Sequence, residues 1–536
     1  MTILNQVEDA LRHFIVTQME TQGLPGMAVA LTDRESSLHI STYGYADVAA
    51  TTPIRPETLF QTGSIGKSFT SIALLQEYEA GRLDLHAPVT EYLPWFEVQS
   101  PYPPITIHHL LTHSAGITSG SDFSPDSRTQ VWALRESTAA WAPGERFLYS
   151  NDGYKALGLV LDALTGQPYA TTMRKRILGP LGMDHTAPTI ANDIRTRLAT
   201  GYTSFHDDRP APRQGPLAPA PWFETDTADG CLASTAGDLA IYLRMLLDRG
   251  QGPSGRILAP DSFELLTQRA INVDDRRWYG YGLFSWEVDG HTLLGHGGGM
   301  PGFASAITCD LDAGVGAAVL LNGHGDLTAL GGYALRLLCA SRQGIELPLP
   351  PALPDPLTTE NAAGYAGTYR SEERSFELGA DEKRLLMWYQ GTELPLERRG
   401  ADAFYAPHPD FALALLRFGR DGEHQVTEAF HGADWYPNDR YTGPRNFDTP
   451  EEWGAYAGHY RSFTPWITNF RVLIRKDSLV LELPQYGTET PLRPAGPARF
   501  TMGETMPGDL RFGPIVADQA ISASLLSGPY SRVNTP

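Results

Sequence analysis

A recurring heptapeptide sets the strongest limit on how this chain folds. YAGTYRS at 365–371 returns 91 residues later as YAGHYRS at 456–462. GTELPL (391–396) then returns as GTETPL (487–492), and LRFG (416–419) as LRFG (510–513). Three matches in one order, at nearly one offset, define two copies of a unit of about 90 residues, too long for a solenoid repeat that cannot fold alone. Across the copies, runs such as RLLMWYQ, FALALLRFG and RVLIRKDSLVLELP alternate between turn residues, the pattern of antiparallel strands. Each copy is expected to close as a small antiparallel β-barrel, which hides its own edge strands.

Upstream of the repeats, GIELPLPPALPDPLTTE (344–360) carries prolines at 348, 350, 351, 354 and 356. They fix φ and remove donors, so neither a helix nor a central strand crosses this stretch. The expected division is a mixed α and β domain over 1–345, a Pro-rich linker over 346–360, and small β domains over 361–445 and 446–536, separated near YTGPRNFDTPEEW (441–453). At 536 residues the chain exceeds what one hydrophobic core serves.

The net charge of −20 repels polyanions and anionic surfaces, so neither nucleic acid nor membrane is an expected partner. The opening MTILNQVEDALRHFIVTQMETQG spaces Ile3, Val7, Leu11, Ile15 and Val16 as one apolar face, which predicts an amphipathic surface helix. It lacks the basic start and unbroken apolar core of a signal peptide, and no run approaches the ~20 apolar residues of a membrane span, so a cytoplasmic location is expected. Cys231, Cys309 and Cys339 lie far apart and read as buried thiols.

Three short motifs carry chemistry. In QTGSIGKSFTSIALL (61–75), Ser64 stands three places before Lys67, where a Gly-punctuated segment enters a helix whose Ile65, Phe69, Ile72, Ala73 and Leu75 form one stripe. Peptide dipoles at a helix start favour an alkoxide on the serine and disfavour a proton on the lysine, which suits a nucleophile and its base. A capping serine and a solvated lysine give the same spacing. In RFLYSNDGYKALGLVLDALTG (146–166), Tyr149 and Asn151 precede a periodic helix; a phenol there relays protons and an amide binds a carbonyl, or else they are a packed ring and a cap. In HTLLGHGGGMPGF (291–303), an apolar strand ends at His296 and runs into Gly297, Gly298 and Gly299, where a bare backbone admits a ligand and donates N–H groups to an oxyanion. An HGGG lipase loop requires a GxSxG elbow, which the chain lacks. His108, His109 and His113 lack the Glu of an HExxH site, and neither a metal nor a cofactor is expected.

The order SxxK, YxN 85 residues on, then HxG on a late strand resembles the penicillin-recognising serine hydrolases (S12-type): class C β-lactamases, DD-peptidases, D-aminopeptidases and related esterases. TIHHLLTHSAGI, WAPGERFLYSNDGY, ILGPLGMDHT and GCLASTAGDLAIYLRML agree with it, and the two terminal copies resemble the paired lipocalin-like barrels of D-aminopeptidases. The resemblance implies a multidomain α+β protein: a β-lactamase/transpeptidase-like catalytic domain, antiparallel sheet with flanking helices and a helical subdomain, followed by two small antiparallel barrels. It implies that Ser64 forms an acyl-enzyme, Lys67 and Tyr149 share the base and proton-relay role, Asn151 binds the substrate amide, and His296 stands where other members have lysine. The N–H groups of Ser64 and Gly299, beside Gly298, would form the oxyanion hole. A loop of the last domain reaches the cleft in D-aminopeptidase-like relatives, and 500–513 is the stretch suited to that here.

A neutral histidine grips a carboxylate more weakly than lysine does. The leading expectation is therefore a serine hydrolase acting on a small peptide, amide or ester of D-amino-acid type. The alternatives are a β-lactamase or DD-carboxypeptidase, an acyltransferase or peptide cyclase using the same acyl-enzyme, and a non-catalytic ligand-binding protein. The expected partner is a small-molecule or short-peptide substrate, and a homodimer is compatible with the sequence.

Overall fold

The computed structural model describes residues 3–120, 124, 126–288, 290–503 and 509–534. They divide into two units, Met1–Thr203 with Leu217–Pro351, and Ser204–Pro216 with Ala352–Pro536.

The first unit is built on a nine-stranded antiparallel sheet. Its strands are β1 (Gly26–Asp33), β2 (Ser37–Asp47), β3 (Thr52–Pro53), β4 (Ile271–Asp274), β5 (Arg277–Tyr279), β6 (Phe284–Val288), β7 (His291–Met300), β8 (Phe303–Asp310) and β9 (Val315–Leu321). Their order is β4-β5-β6-β7-β8-β9-β1-β2-β3. The first and last strands in sequence are neighbours inside the sheet, with Met27 opposite Leu321 and Asp33 opposite Val315. Both are buried along their whole length, so neither shows the alternation of a half-exposed strand.

Helices cover both faces. The helices used below are α1 (Ile3–Gln22), α2 (Gly66–Glu79), α3 (Asn151–Thr165), α4 (Ala236–Leu247) and α5 (Thr328–Gln343). A side chain at Gly316 of β9 would meet Leu243 of α4 and Cys309, while one at Gly331 of α5 would meet Thr308. Residues 308 and 309 point to opposite faces of β8, so α4 lies on one side of the sheet and α5, which packs on α1, on the other. The N-terminal helix buries Val7, Leu11 and Ile15 as expected, with Phe14 added and Val16 left 38% exposed. Among the described residues no helix is long and apolar enough to cross a membrane.

α2 departs from its predicted stripe: Gly66 through Leu75 are all buried. Its hydroxyls are spent on internal bonds. Thr70 donates to Ala228 O at 2.7 Å, Ser71 to Lys67 O at 3.0 Å, and Ser68 accepts from Tyr242 at 2.7 Å. Polar residues that satisfy themselves in this way permit a helix buried on every side.

In the second unit the repeat is visible atom by atom. Tyr369 donates to Tyr365 O at 2.7 Å and stacks on Phe376; its counterpart Tyr460 donates to Tyr456 O at 2.8 Å and stacks on Phe470. The second copy is a closed eight-stranded barrel whose interior is filled by Tyr460, Phe470, Phe500, Phe512 and Tyr530. The first copy is not hydrogen-bonded into a barrel. It forms a four-stranded and a five-stranded sheet over one core, the last strand of the one ending at Pro395 and the first of the other starting at Glu397. Ion pairs tie the copies together: Arg417 to Glu489 at 3.0 Å and Lys476 to Glu428 at 3.0 Å. Residues 204–216, expected in the first domain, belong to this unit through Asp207. Its carboxylate pairs with Arg461 at 2.6 Å and its carbonyl accepts from Asn469 at 2.9 Å. In the 500–513 stretch, Arg499–Met502 pairs with Asp509–Phe512, and residues 504–508 lie outside the described residues.

Candidate active site

Ser64 lies in a 3₁₀ turn, Gly63–Ile65, that runs directly into α2. Neither the turn nor the helix has a side-chain cap, so the Ser64 hydroxyl is not spent on capping. Lys67 follows one turn later, fully buried, with Nζ 3.0 Å from Ser64 Oγ. Nζ also lies 2.8 Å from Asn151 Oδ1 and 2.7 Å from the Asp229 carbonyl, and 4.8 Å from the centre of the Tyr149 ring.

Asn151 is free for Lys67 because it does not cap α3. Ser150 does, accepting from Gly153 N–H at 3.1 Å. The Ser150 N–H in turn donates to His113 Nδ1 at 3.0 Å. Tyr149 is half-buried, its ring 4.2 Å from that of His113 and 6.3 Å from that of His296.

β7 closes the site. The strand does not end at His296, as its glycines suggested, but pairs with β8 through Gly297, Gly298 and Gly299 to Met300. β6 accompanies it only as far as Gly295, so its other edge is without a strand neighbour from His296 onward among the described residues. That edge meets the Ser64 turn at a distance only glycine allows. A Cβ on Gly298 would stand 1.9 Å from Thr62 O, and one on Gly63, whose φ is +53°, 2.7 Å from Gly299 N. At Gly299 a Cβ would meet nothing within 4 Å, so the surface beyond the edge is open.

His296 is buried, and both ring nitrogens are engaged. A carbonyl only accepts, so Nδ1–H donates to Gly297 O, which leaves Nε2 to accept from the Tyr279 hydroxyl at 3.2 Å. Burial, and then Lys67, push its pKa down to about 3, so the ring is neutral at pH 7. Burial likewise holds His113 well below the usual histidine range, with Lys67 and His296 adding to the effect.

The structure thus gathers Ser64, Lys67, Tyr149, Asn151, His296, Gly298 and Gly299 in one place. It adds the Asp229 carbonyl, His113 and Tyr279, for which the sequence offers little signal. Tyr279 stands in no motif, and His113 shares a segment with two other histidines. Those two lie elsewhere in the same segment. His109 Nδ1 accepts from Thr106 N–H in a capping box, and His108 bonds Tyr281 at 2.7 Å. The helix they start ends at Leu111, so His109 and His113 do not share a helical face. Among the described residues no group of three or more acidic, histidine or cysteine side chains is arranged to hold a metal.

A central antiparallel sheet, helices on both faces and a serine–lysine pair at the start of a buried helix define a catalytic domain of β-lactamase type. The family profile described as Beta-lactamase matches residues 11–339, and the chain belongs to this family, whose members are typically serine hydrolases. Penicillin-binding protein 4 of Amycolatopsis lactamdurans is 30% identical over 373 residues, 65% of this chain and 94% of that protein. A beta-lactamase of Yersinia enterocolitica is 28% identical over 299 residues, 55% of this chain and 73% of that one. The octameric penicillin-binding protein homologue from Pyrococcus abyssi aligns with a TM-score of 0.58 at 27% identity, covering 80% of this chain and 98% of that chain.

Proposed function

We propose that this chain hydrolyses a small peptide, amide or ester, of D-aminoacyl type, through an acyl-enzyme on Ser64. The observation that carries the reading is the set of partners around Lys67 Nζ. Two of them, Asn151 Oδ1 and Asp229 O, are carbonyl oxygens and only accept. The protonated amine donates to both carbonyls and to Ser64 Oγ 3.0 Å away; loss of the third proton leaves a lone pair directed at the Ser64 hydroxyl.

Ser64 Oγ attacks the substrate carbonyl carbon while its proton passes to Lys67. The N–H groups of Ser64 and Gly299 receive the oxyanion. Collapse breaks the C–N or C–O bond, and the leaving amine or alcohol takes the proton back through the Tyr149 phenol. Water then attacks the ester by the reverse relay and releases the acid. Asn151 both holds Lys67 and presents its amide to the substrate.

His296 sets the substrate class. A neutral ring whose nitrogens are already bonded brings no positive charge to a substrate carboxylate, which favours uncharged amides and esters. A second reading, β-lactam hydrolysis or DD-carboxypeptidase action, is favoured by the similarity to Penicillin-binding protein 4 and to the Yersinia beta-lactamase. A screen of D- and L-aminoacyl amides, p-nitrophenyl esters and one chromogenic cephalosporin, on wild type and Ser64→Ala, separates them. Turnover of D-aminoacyl amides or esters, absent in Ser64→Ala, is expected. Fast cephalosporin turnover with inert amides and esters would favour the second reading.

A further inference from the structure

On the face of the sheet covered by α5, small residues stand opposite one another where a sheet and a helix normally interdigitate. Gly295, Gly297 and Ala306 on the strands face Ala329, Gly332 and Ala340 on the helix side. A cavity of about 690 Å³ is left between them. The cavity is open to solvent, with Gly297 and Ala329 exposed, so it is a groove between sheet and helix rather than an enclosed void. Its volume falls within the roughly 300–1,000 Å³ of small-molecule sites.

The walls are mainly apolar: Phe284, Trp286 and Leu293 from the sheet, Leu335 from the helix, Ile345 and Pro348 from the segment that follows it. Ile345 is 58% exposed and Val288 37%, which marks the mouth as apolar too. A mainly apolar groove with a few polar groups at its edge is the usual form of a small-molecule site.

The charged groups around it are unevenly occupied. Asp310 accepts from His291 at 2.7 Å and from the N–H groups of Asp312 and Ala313; Arg277 pairs with Asp274 at 2.6 Å. Arg336, one helical turn from Gly332, has no ion pair among the described residues and lies 5.9 Å from the Tyr333 ring. Glu346, also on the lining, is exposed and does not pair with it.

We propose that this cavity binds an amphipathic monocarboxylate, with an alkyl or aryl body between β6–β8 and α5 and its carboxylate on Arg336. The floor is the strand that carries His296, Gly298 and Gly299, but the cavity is a site distinct from the Ser64 cleft, and its occupant is not the proposed substrate.

Gly332 offers a direct test. A Cβ there meets nothing within 4 Å, so Gly332→Leu and Gly332→Phe extend into the groove without disturbing the helix. Binding of decanoate, decanol and decylamine to the full-length protein is measured by calorimetry, with circular dichroism as the check on folding. Wild type is expected to bind decanoate at least tenfold tighter than decanol, and decylamine weakest. Gly332→Leu and Gly332→Phe should weaken decanoate at least tenfold, and Arg336→Gln should reduce its advantage over decanol to within about threefold. Undetectable decanoate binding at millimolar concentration, equal binding in both folded Gly332 variants, or tighter binding of decylamine would overturn the proposal.

Discussion

Lys67 Nζ lies 2.8 Å from Asn151 Oδ1, a bond that joins the starts of two helices 84 residues apart in sequence. The bond aims the lysine at Ser64. Asn151→Ala is expected to lower kcat about 100-fold, the lower end of what a positioned proton acceptor contributes. Asn151→Asp keeps the geometry but places a negative charge on the amine, which favours its protonated form. The acid limb of its pH–rate profile should move to higher pH. An unmoved limb would separate Asn151 from the base.

The Ser150 N–H has its acceptor in His113, a buried residue held at φ +55°. His113→Phe keeps a ring against Tyr149 but leaves that N–H without a partner, at a cost of about 1–3 kcal/mol. His113→Asn restores an acceptor and tolerates the left-handed conformation. Denaturant melts should rank wild type, Asn, then Phe in stability, and kcat should follow the same order because the loop carries Tyr149 and Asn151. Equal values for Phe and Asn would count against this assignment.

Two adjacent glycines should behave in opposite ways. Gly298→Ala drives a methyl to within 1.9 Å of Thr62 O, forcing β7 away from the Ser64 turn. Gly299→Ala meets nothing within 4 Å. Gly298→Ala should lose most turnover and fold less stably, while Gly299→Ala should stay within about 1 kcal/mol of wild type in stability.

His296 also predicts how the first unit responds to acid. Its pKa is about 3 in the folded protein and near 6.5 for an unperturbed histidine. Between those values the unfolded chain binds a proton that the folded chain does not, so the stability is complete above pH 6.5 and declines as pH falls toward 3. One such group gives a slope of up to about 1.4 kcal/mol per pH unit. In urea titrations from pH 4.5 to 7, His296→Gln should show a shallower dependence than wild type. An identical slope would contradict the neutral, buried ring.

Part of this was legible in the sequence. Ser64 and Lys67 are three apart at a helix start, a relation that spacing alone encodes, and the tandem copies announce themselves by repetition. Other features depend on distant pairings that periodicity does not carry. The hydroxyls of α2 look like a solvent face until their backbone partners at Lys67 and Ala228 are known. The glycines of β7 read as a strand end, yet β8 pairs with them to Met300. Residues 204–216 join the second unit through Asp207 and Arg461, 254 positions apart. Tyr279 and the Asp229 carbonyl reach the site from segments without a recognisable motif. The three cysteines read alike, but Cys339 is only partly buried and lines the cavity behind the sheet.

Activation of Ser64 as a nucleophile by Lys67 is tested by labelling with a fluorophosphonate ester, followed by intact mass and peptide mapping. The expected result is one phosphonyl group on the peptide holding Ser64, none in Ser64→Ala, and labelling slowed at least 100-fold in Lys67→Met. An unlabelled folded wild type, or a label on a different serine, would rule out Ser64 as the nucleophile.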